Sequence, residues 1–352
     1  MLVNILQHFD YSRYEVTLLY FVKGGVYSSE IPPQVKRVVP FTTGTRLSNF
    51  FYLLMQHFGV LNNWYKYCTL KKLERYDAII SYLEGFPLHI HSLILERGKE
   101  NISFIHTDLS AFPDAVKQLG GEAPCEAAYG LMDNLVFVAQ TAKDSFQRLF
   151  PDIKNTMTVL PNFIDIDDVV SKGNEYYVER KGITVTCISR LAPVKGIDII
   201  PQISAELRNR GIEVHFYIVG DGSERKHIEE LIKFNDVSSY VHLVGYQSNP
   251  YPYLKAADIY ISTSISEGMP LSFCEAMAYG KPIVASETAG SLYLIDDNIG
   301  IIVKRKVSLF VEAIFCLVND RQKRTAMGNM AREKSKLFGS ESYMRALYNL
   351  ID

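Results

Sequence analysis

The second half of the sequence, residues 183–304, alternates short apolar runs with helical patterns, and this alternation limits the possible folds more than any other feature. The apolar runs are five to eight residues long and rich in β-branched and aromatic residues, which is typical of strands buried on both faces. They are ITVTCIS, EVHFYIVG, YVHLVGY, DIYISTS, KPIVAS and GIIVK. Strands that alternate with helices predict a doubly wound α/β domain with a parallel sheet.

The first half carries a looser version of the same pattern. Its strand candidates are EVTLLYFV, DAIISYL, NISFIHTD, NLVFVAQT and NTMTVLPN. A chain of 352 residues exceeds the size at which one hydrophobic core keeps growing, so we expect two domains. We place an N-terminal Rossmann-like domain at 1–165, a polar linker at 166–181 and a second domain at 182–335. A C-terminal helix at 336–352 has the option of packing back on the first domain.

Composition narrows the functional classes. The formal net charge of −2 gives no positive electrostatic field that would attract nucleic acid to the whole protein, so we expect no nucleic-acid partner. The start MLVNILQHFD lacks a signal sequence, and no run of about 18 apolar residues is present, so we expect a cytoplasmic protein. The five cysteines have no CxxC spacing, which predicts reduced core residues: Cys68, Cys125, Cys187, Cys274 and Cys316.

The segment SEGMPLSFCEAMAYGKP is the strongest candidate for a binding site. Pro270 favours a helix start and Gly280 a helix end, so Glu267 should lie in the preceding loop and Glu275 inside the helix. Carboxylates accept hydrogen bonds from sugar hydroxyls, and a helix N-terminus attracts phosphate. The backbone N–H groups expected there are those of Met269, Leu271 and Ser272. The alternative is a solvated Glu267 and a Glu275 on the helix surface.

Two further segments follow predicted strands. In SRLAPVKGID, Arg190 and Lys195 come directly after a strand and can neutralise a diphosphate without a metal. In VGDGSE, Gly220 allows a close backbone approach to a ligand. Each has an ordinary alternative, a solvated loop for the first and a tight strand-to-helix turn for the second.

Together these segments resemble the GT-B-fold retaining glycosyltransferases, family 4 (group 1). The motifs SRLAPVKGID and VGDGSE and the region VHLVGYQSNPYPYLKAADIYISTSISEGMPLSFCEAMAYGKPIVAS carry the likeness over nearly the whole second domain. YDAIISYLEG, NISFIHTDLS and NLVFVAQTAKDSFQRLFPDIKNTMTVLPNFID extend it to the first half. The resemblance implies two Rossmann-like domains facing across a cleft.

The resemblance also implies an activity: a hexosyl group moves, with retention, from a UDP- or GDP-sugar to a glycan or lipid-linked sugar. It assigns the donor diphosphate to Arg190 and Lys195, the transferred sugar to Glu267 and the ribose to Glu275. No metal or other cofactor is implied. Gly245 and Tyr246 would lie beside the base, and His106 would face the reacting sugar, although a histidine at a strand end is often structural.

The start of the chain departs from the family pattern. Family members begin with a strand and a Gly-Gly loop, whereas MLVNILQHFD reads as a helix, so we expect both elements to be missing. This keeps open a second function, a non-catalytic partner subunit of a transferase. A nucleotide-sugar epimerase on the same fold is a third alternative.

Two other features have competing interpretations. Asp165 and Asp167 form a DxD, the metal-binding mark of another glycosyltransferase fold, but they lie in the predicted linker. Residues 35–76 hold seven basic residues and one acidic residue, Glu74, among aromatics, which suits either peripheral attachment to an anionic inner membrane face or a solvated surface. The basic residues are Lys36, Arg37, Arg46, Lys66, Lys71, Lys72 and Arg75.

Overall fold

The computed structural model describes residues 1–20, 28–39, 66, 69–110 and 114–352. The chain divides into two compact units. The N-terminal unit comprises residues 1–161 and 341–352, and the C-terminal unit comprises residues 162–340.

The C-terminal unit contains the six strands that the sequence predicts, all parallel, in the spatial order β12-β11-β10-β7-β8-β9. The chain therefore builds one half of the sheet outward from β7, returns to the centre and builds the other half from β10. This is the doubly wound arrangement expected of alternating strands and helices. The strands are β7 Ile183–Ile188, β8 Val214–Val219, β9 Val241–Gly245, β10 Ile259–Ser262, β11 Ile283–Ser286 and β12 Gly300–Val303.

Helices cover both faces of this sheet and create two hydrophobic cores. The helices of the unit are α6 Ile166–Lys172, α7 Ile200–Asn209, α8 Arg225–Phe234, α9 Tyr251–Ala256, α10 Leu271–Ala278, α11 Ala289–Leu294, α12 Val307–Asn319 and α13 Arg321–Ser335. One core joins strand residues such as Val185 and Phe216 to α7, α8 and α12, and the other joins Tyr260 and Ile283 to α6, α10 and α13. Short 3-10 turns occupy Pro193–Lys195, Ile197–Ile199 and Lys336–Phe338.

The segment predicted as a linker, residues 166–181, lies in the C-terminal unit and begins with α6. Asp165 is the N-cap of this helix, because its carboxylate accepts the N–H of Asp168 at 2.9 Å. The polar composition of the segment thus reflects a capped surface helix, with only Val169 fully buried.

The N-terminal unit contains a four-stranded parallel sheet in the order β3-β4-β5-β6 and a separate parallel pair, β1-β2. Its strands are β1 Thr17–Leu19, β2 Lys36–Val38, β3 Tyr76–Ser81, β4 Gly98–Ile105, β5 Asn134–Phe137 and β6 Thr156–Val159. Its helices are α1 Leu2–Gln7, α2 Phe86–Leu93, α3 Asp114–Gln118, α4 Glu122–Gly130, α5 Gln140–Leu149 and α14 Ser340–Ile351, with a 3-10 turn at Leu95–Arg97. The helix-like start of the sequence is therefore α1.

The structure can be compared with the predictions on cysteines, membrane-spanning helices and the basic stretch. Cys125, Cys187 and Cys274 are buried free thiols as predicted, whereas Cys316 is partly exposed and Cys68 lies outside the described residues. No helix within the described ranges is long and apolar enough to cross a bilayer. The basic stretch at 35–76 lies mostly outside the described residues, so membrane attachment through it stays a prediction.

Candidate functional site

The candidate site lies at the carboxyl ends of β7 and β10, two neighbouring strands whose chains leave the sheet in opposite directions. The two strands pair in parallel through Val185 with Ile259 and Thr186 with Tyr260. The loops that follow them, residues 189–199 and 263–270, therefore begin side by side. Ligands bind at this switch point in doubly wound sheets because helices leave on opposite sides and open a crevice.

The loop after β7 is fixed by backbone hydrogen bonds to the turn after β8. Ser189 donates its N–H to Val219 O at 3.0 Å, and Leu191 donates to Asp221 O at 3.0 Å. Between them, Arg190 is exposed, and its guanidinium makes no hydrogen bond or ion pair with any part of the chain that the structure describes. Arg190 is thus a solvent-facing cation on a fixed backbone.

The loop after β10 holds Glu267 against Lys195. The Lys195 ammonium lies 2.6 Å from Glu267 Oε1, and the Ser264 hydroxyl donates to the same oxygen at 2.7 Å. The side chains of Lys195 and Glu267 are only 20% and 12% exposed, so this ion pair is shielded from water more than a surface pair. Partial burial strengthens the attraction between the two charges.

A cavity of ≈160 Å³ opens between these loops. Four of the residues that the sequence predicts for the site line it together, namely Arg190, Lys195, Glu267 and Ser272. Its remaining wall consists of strand-end and loop residues, including Ser189, Tyr260, Ser262, Thr263 and Ser264. The cavity therefore combines two cations, one carboxylate and several hydroxyl groups.

The N-terminus of α10 points free backbone donors at the same region. Pro270 is the N-cap, one residue before the helix, and Glu275 lies within the helix as predicted. In the described part of the chain, the N–H groups of Met269, Leu271 and Ser272 donate no hydrogen bond. The side chain of Met269, by contrast, is buried at 9% exposure, and its sulfur accepts the N–H of Asn162. Only the backbone of Met269 is available to a ligand.

Glu275 lies outside the lining of this cavity, deeper along α10. Its carboxyl group is packed within the C-terminal unit, and burial raises its pKa to about 7, opposed by a hydrogen bond from Tyr251. The Tyr251 hydroxyl donates to Glu275 Oε1 at 3.2 Å. The sequence suggested two interpretations of Glu275, a ligand contact or a carboxylate on the helix surface. Neither includes what the structure shows, a carboxyl group whose ionised form is disfavoured by burial.

Gly220 and Tyr246 also lie away from the cavity wall. Gly220 has φ +141° and packs so closely on the loop after β7 that a Cβ would lie 1.9 Å from Ser189 O. Its structural role is the approach of two backbones, and the structure gives it no contact with the cavity. Tyr246 follows Gly245 at the end of β9 and is 67% exposed.

His106 belongs to the N-terminal unit, directly after β4. Its ring packs against Tyr82 with centroids 4.7 Å apart, and Glu84 accepts its backbone N–H. Burial lowers the pKa of the imidazole, which the nearby Glu84 carboxylate partly counteracts. Among the described residues, His106 Nε2 has no hydrogen-bond partner. A neutral, partnerless ring nitrogen retains one free donor or acceptor.

Nothing in the described part of the chain clusters three or more His, Cys, Asp or Glu side chains in an arrangement that could hold a metal ion. Asp165 of the DxD caps α6, and Asp167 is exposed on the same helix. The helix-cap role accounts for the first aspartate without a metal.

Sequence reasoning missed several residues that support the site. Ser264 holds Glu267, Tyr251 holds Glu275, and Gly290 donates its N–H to Glu267 O at 2.9 Å. Arg305 binds the loops after β7 and β10. The run STS at 262–264 is the one sequence feature that could have indicated Ser264 as a site residue, because hydroxyl residues at a strand end commonly belong to a polar site.

The match of this chain to a known protein family lies within its C-terminal unit. Residues 175–334 match the family described as glycosyl transferases group 1. The poly(ribitol-phosphate) alpha-N-acetylglucosaminyltransferase of Staphylococcus aureus is 29% identical over 205 residues, which are 57% of this chain and 40% of that protein. The GtfA subunit of the UDP-N-acetylglucosamine–peptide N-acetylglucosaminyltransferase of Streptococcus agalactiae is 31% identical over 153 residues, 41% of this chain and 30% of that protein. The chain thus spans less than half the length of these two curated relatives.

The solved structure of Anabaena HepE in complex with UDP and glucose matches 99% of this chain and 94% of its own, with a TM-score of 0.73 and 18% identity. The chain therefore has the GT-B glycosyltransferase fold, as the sequence resemblance predicted. Residues 175–334, which include the whole candidate site of the C-terminal unit, match the family of the group 1 glycosyl transferases.

Proposed function

We propose that this chain is a glycosyltransferase that moves a hexosyl group, with retention at the anomeric carbon, from a UDP-sugar to a glycan or lipid-linked sugar. The observation that carries the proposal is the cavity in which Arg190, Lys195, Glu267 and the N-terminus of α10 meet, within a group 1 glycosyl transferase segment. The synthesis of a surface polysaccharide or glycoconjugate is the expected setting.

The two cations suit the leaving group of such a reaction. A nucleoside diphosphate gains negative charge as the bond to the sugar breaks, and fixed positive groups in a shielded site stabilise that charge most effectively. Arg190 offers a planar fork, Lys195 a point charge and α10 its free N–H groups. These groups make a metal ion unnecessary, and we propose a metal-independent reaction.

The ion pair between Lys195 and Glu267 suggests how the site receives its donor. An incoming diphosphate competes with Glu267 for the Lys195 ammonium, because it carries more charge than a single carboxylate. Glu267, still held by Ser264, then accepts hydrogen bonds from the sugar hydroxyls. Its role is to position the sugar, while Glu275 binds the ribose and His106 faces the reacting sugar.

The relatives support the choice of donor and acceptor. HepE was solved with UDP and glucose, and the streptococcal relative is named for UDP-N-acetylglucosamine. The staphylococcal relative is named for poly(ribitol-phosphate) and for the transfer of alpha-N-acetylglucosamine. UDP is therefore the first ligand to test, with GDP second.

Isothermal titration with UDP tests the donor site. Arg190→Ala and Lys195→Ala should each weaken UDP binding about tenfold or more, since each removes a charge-assisted contact to phosphate. Lys334→Ala is the matched control, because Lys334 forms an ion pair of the same 2.6 Å length with Asp296 away from the cavity. Equal UDP affinity in Arg190→Ala, Lys195→Ala and the wild type would contradict the proposal.

Donor turnover tests the reaction itself. Lys195→Ala should lower the rate of UDP-sugar hydrolysis or transfer about 100-fold, as expected when a contact to transition-state charge is removed. Glu267→Ala should lower the rate by about as much, because a sugar that is no longer held in position reacts more slowly. NMR of the product gives the anomeric configuration and so tests retention. A chain that binds no nucleotide but co-purifies with a transferase would favour the partner-subunit alternative, and a changed sugar nucleotide without acceptor would favour an epimerase.

A further inference from the structure

Arg305 lies just after the edge strand of the sheet and bridges the two loops of the switch point. It follows β12 and directs its guanidinium to oxygens on the loops after β7 and β10. Its Nε donates to Thr263 O at 3.0 Å, and its Nη2 donates to Gly196 O at 3.1 Å and to Asp198 Oδ1 at 2.5 Å. One planar fork therefore bridges two loops.

These two loops carry the charged pair of the cavity. Gly196 directly follows Lys195, and Thr263 lies four residues before Glu267. A second bridge joins the same loops, because Ile265 donates its N–H to Val194 O at 2.8 Å. The residues on both sides of Lys195 are thus tied to the loop that holds Glu267.

Gly196 leaves the space that this bridge needs. Its φ is +57°, and a Cβ there would lie 2.4 Å from Thr263 O and 2.7 Å from Arg305 Nε. Any larger residue would push the guanidinium or the Thr263 carbonyl away. The contact between Gly196 and Arg305, which are 109 residues apart, therefore depends on both residues.

Asp198 balances the charge of the guanidinium, so Arg305 is a paired, structural cation. Its side chain is 28% exposed and lies outside the lining of the cavity. A lysine could not replace it, because an ammonium lacks the fixed fork that reaches Thr263 O and Gly196 O together.

We infer that Arg305 is a positioning residue, which sets the placement of Lys195 relative to Glu267 by clamping their loops together. The inference rests on the proposed function, since it assumes that Lys195 contacts the donor diphosphate. Arg305 acts through Lys195, and its loss should matter only while Lys195 is present.

A double-mutant cycle on the full chain tests this, with UDP affinity from isothermal titration as the readout. Arg305→Ala should weaken UDP binding about tenfold, and Arg305→Lys nearly as much. In a Lys195→Ala background, Arg305→Ala should change the affinity less than about twofold. A merely structural arginine would give additive losses.

Arg324→Ala is the matched control, because Arg324 also bridges two backbone carbonyls, Leu317 O and Val318 O, far along the sequence from the cavity loops. It should leave UDP affinity unchanged. If Arg305→Ala does not fold, by near-UV circular dichroism, the cycle is run with Arg305→Lys, which keeps the charge.

The outcomes separate the two hypotheses. A wild-type chain that binds neither UDP nor GDP overturns the proposed function and this inference with it. A wild-type chain that binds UDP, with unchanged affinity in Arg305→Ala and Arg305→Lys or with additive losses in the cycle, overturns the inference alone.

Discussion

At the scale of single residues, the candidate site depends on charges that the protein holds away from water. Lys195 and Glu267 compensate each other at 2.6 Å, whereas the Glu275 carboxyl group is buried and accepts a hydrogen bond from the Tyr251 hydroxyl. Burial penalises the ionised form of a carboxyl group, and a penalty larger than the favourable contacts appears as a raised pKa. Glu275 therefore lowers the stability of the free protein at neutral and higher pH.

The Glu275→Gln variant should show this cost directly. A carboxyl group whose pKa rises from 4.5 to about 7 on folding contributes its full stability below about pH 4.5 and loses it as the pH rises through about 7. We expect Glu275→Gln to unfold with about 2 kcal/mol more free energy than the wild type at pH 8, after allowing for partial solvent access. The difference should disappear near pH 4.5.

Urea unfolding at several pH values between 4.5 and 8 measures the difference. Glu333→Gln is the control, because Glu333 is exposed and pairs with Lys336 on the surface. The same pH slope in Glu275→Gln and the wild type would show that the Glu275 carboxyl group ionises without cost.

At the scale of the elements, the turns at the strand ends decide where the site residues lie. The turn after β8 packs on the loop after β7 through Gly220 and Gly222, whose Cβ atoms would lie 1.9 Å from Ser189 O and 2.3 Å from Leu191 O. The glycines in VGDGSE are thus required by backbone contact. That contact keeps Arg190 in place beside the cavity.

Gly220→Ala should destabilise the C-terminal unit by about 3 kcal/mol or more, because the clash is with backbone and cannot be relieved by a side-chain movement. Gly211→Ala is the control: its φ is +74°, and a Cβ there would meet nothing within 4 Å. It should cost only about 1 kcal/mol for the left-handed conformation. Thermal unfolding of both variants makes the comparison, and similar losses would contradict it.

At the scale of the whole molecule, the C-terminal unit is closed on itself. Its two ends meet where Ile164 donates its N–H to Phe338 O at 2.9 Å, and Ile164 and Gly339 form a parallel bridge. Both hydrophobic cores of the unit and the cavity lie between these ends. The chain enters and leaves the unit at one place, as in a domain that folds by itself.

A fragment of residues 162–340 should therefore fold alone and bind UDP within about tenfold of the affinity of the full chain. The shorter fragment 175–334, which is the family match, lacks Ile164, Val169 and Phe338 of the second core. It should be less stable by several kcal/mol, at about 2 kcal/mol for each buried apolar side chain lost. Circular dichroism and thermal unfolding compare the two, and a molten 162–340 fragment would overturn the prediction.

The sequence by itself determined the elements of the C-terminal unit. Apolar runs identified all six strands, and the Pro270 and Gly280 signals placed Glu267 in a loop and Glu275 in a helix. It did so because strand and helix periodicity, and the capping preferences of proline and glycine, act over a few neighbouring residues. The family resemblance added the GT-B fold.

Only the tertiary structure decided which of these residues meet. The contact between Lys195 and Glu267 spans 72 residues and the clamp of Arg305 on Gly196 spans 109, and both follow from the spatial order of the strands. The burial of Glu275 and the packing role of Gly220 likewise depend on neighbours distant in sequence. Local pattern carries no information on strand order, because each buried strand fits several neighbours equally well, and the sheet as a whole selects among them.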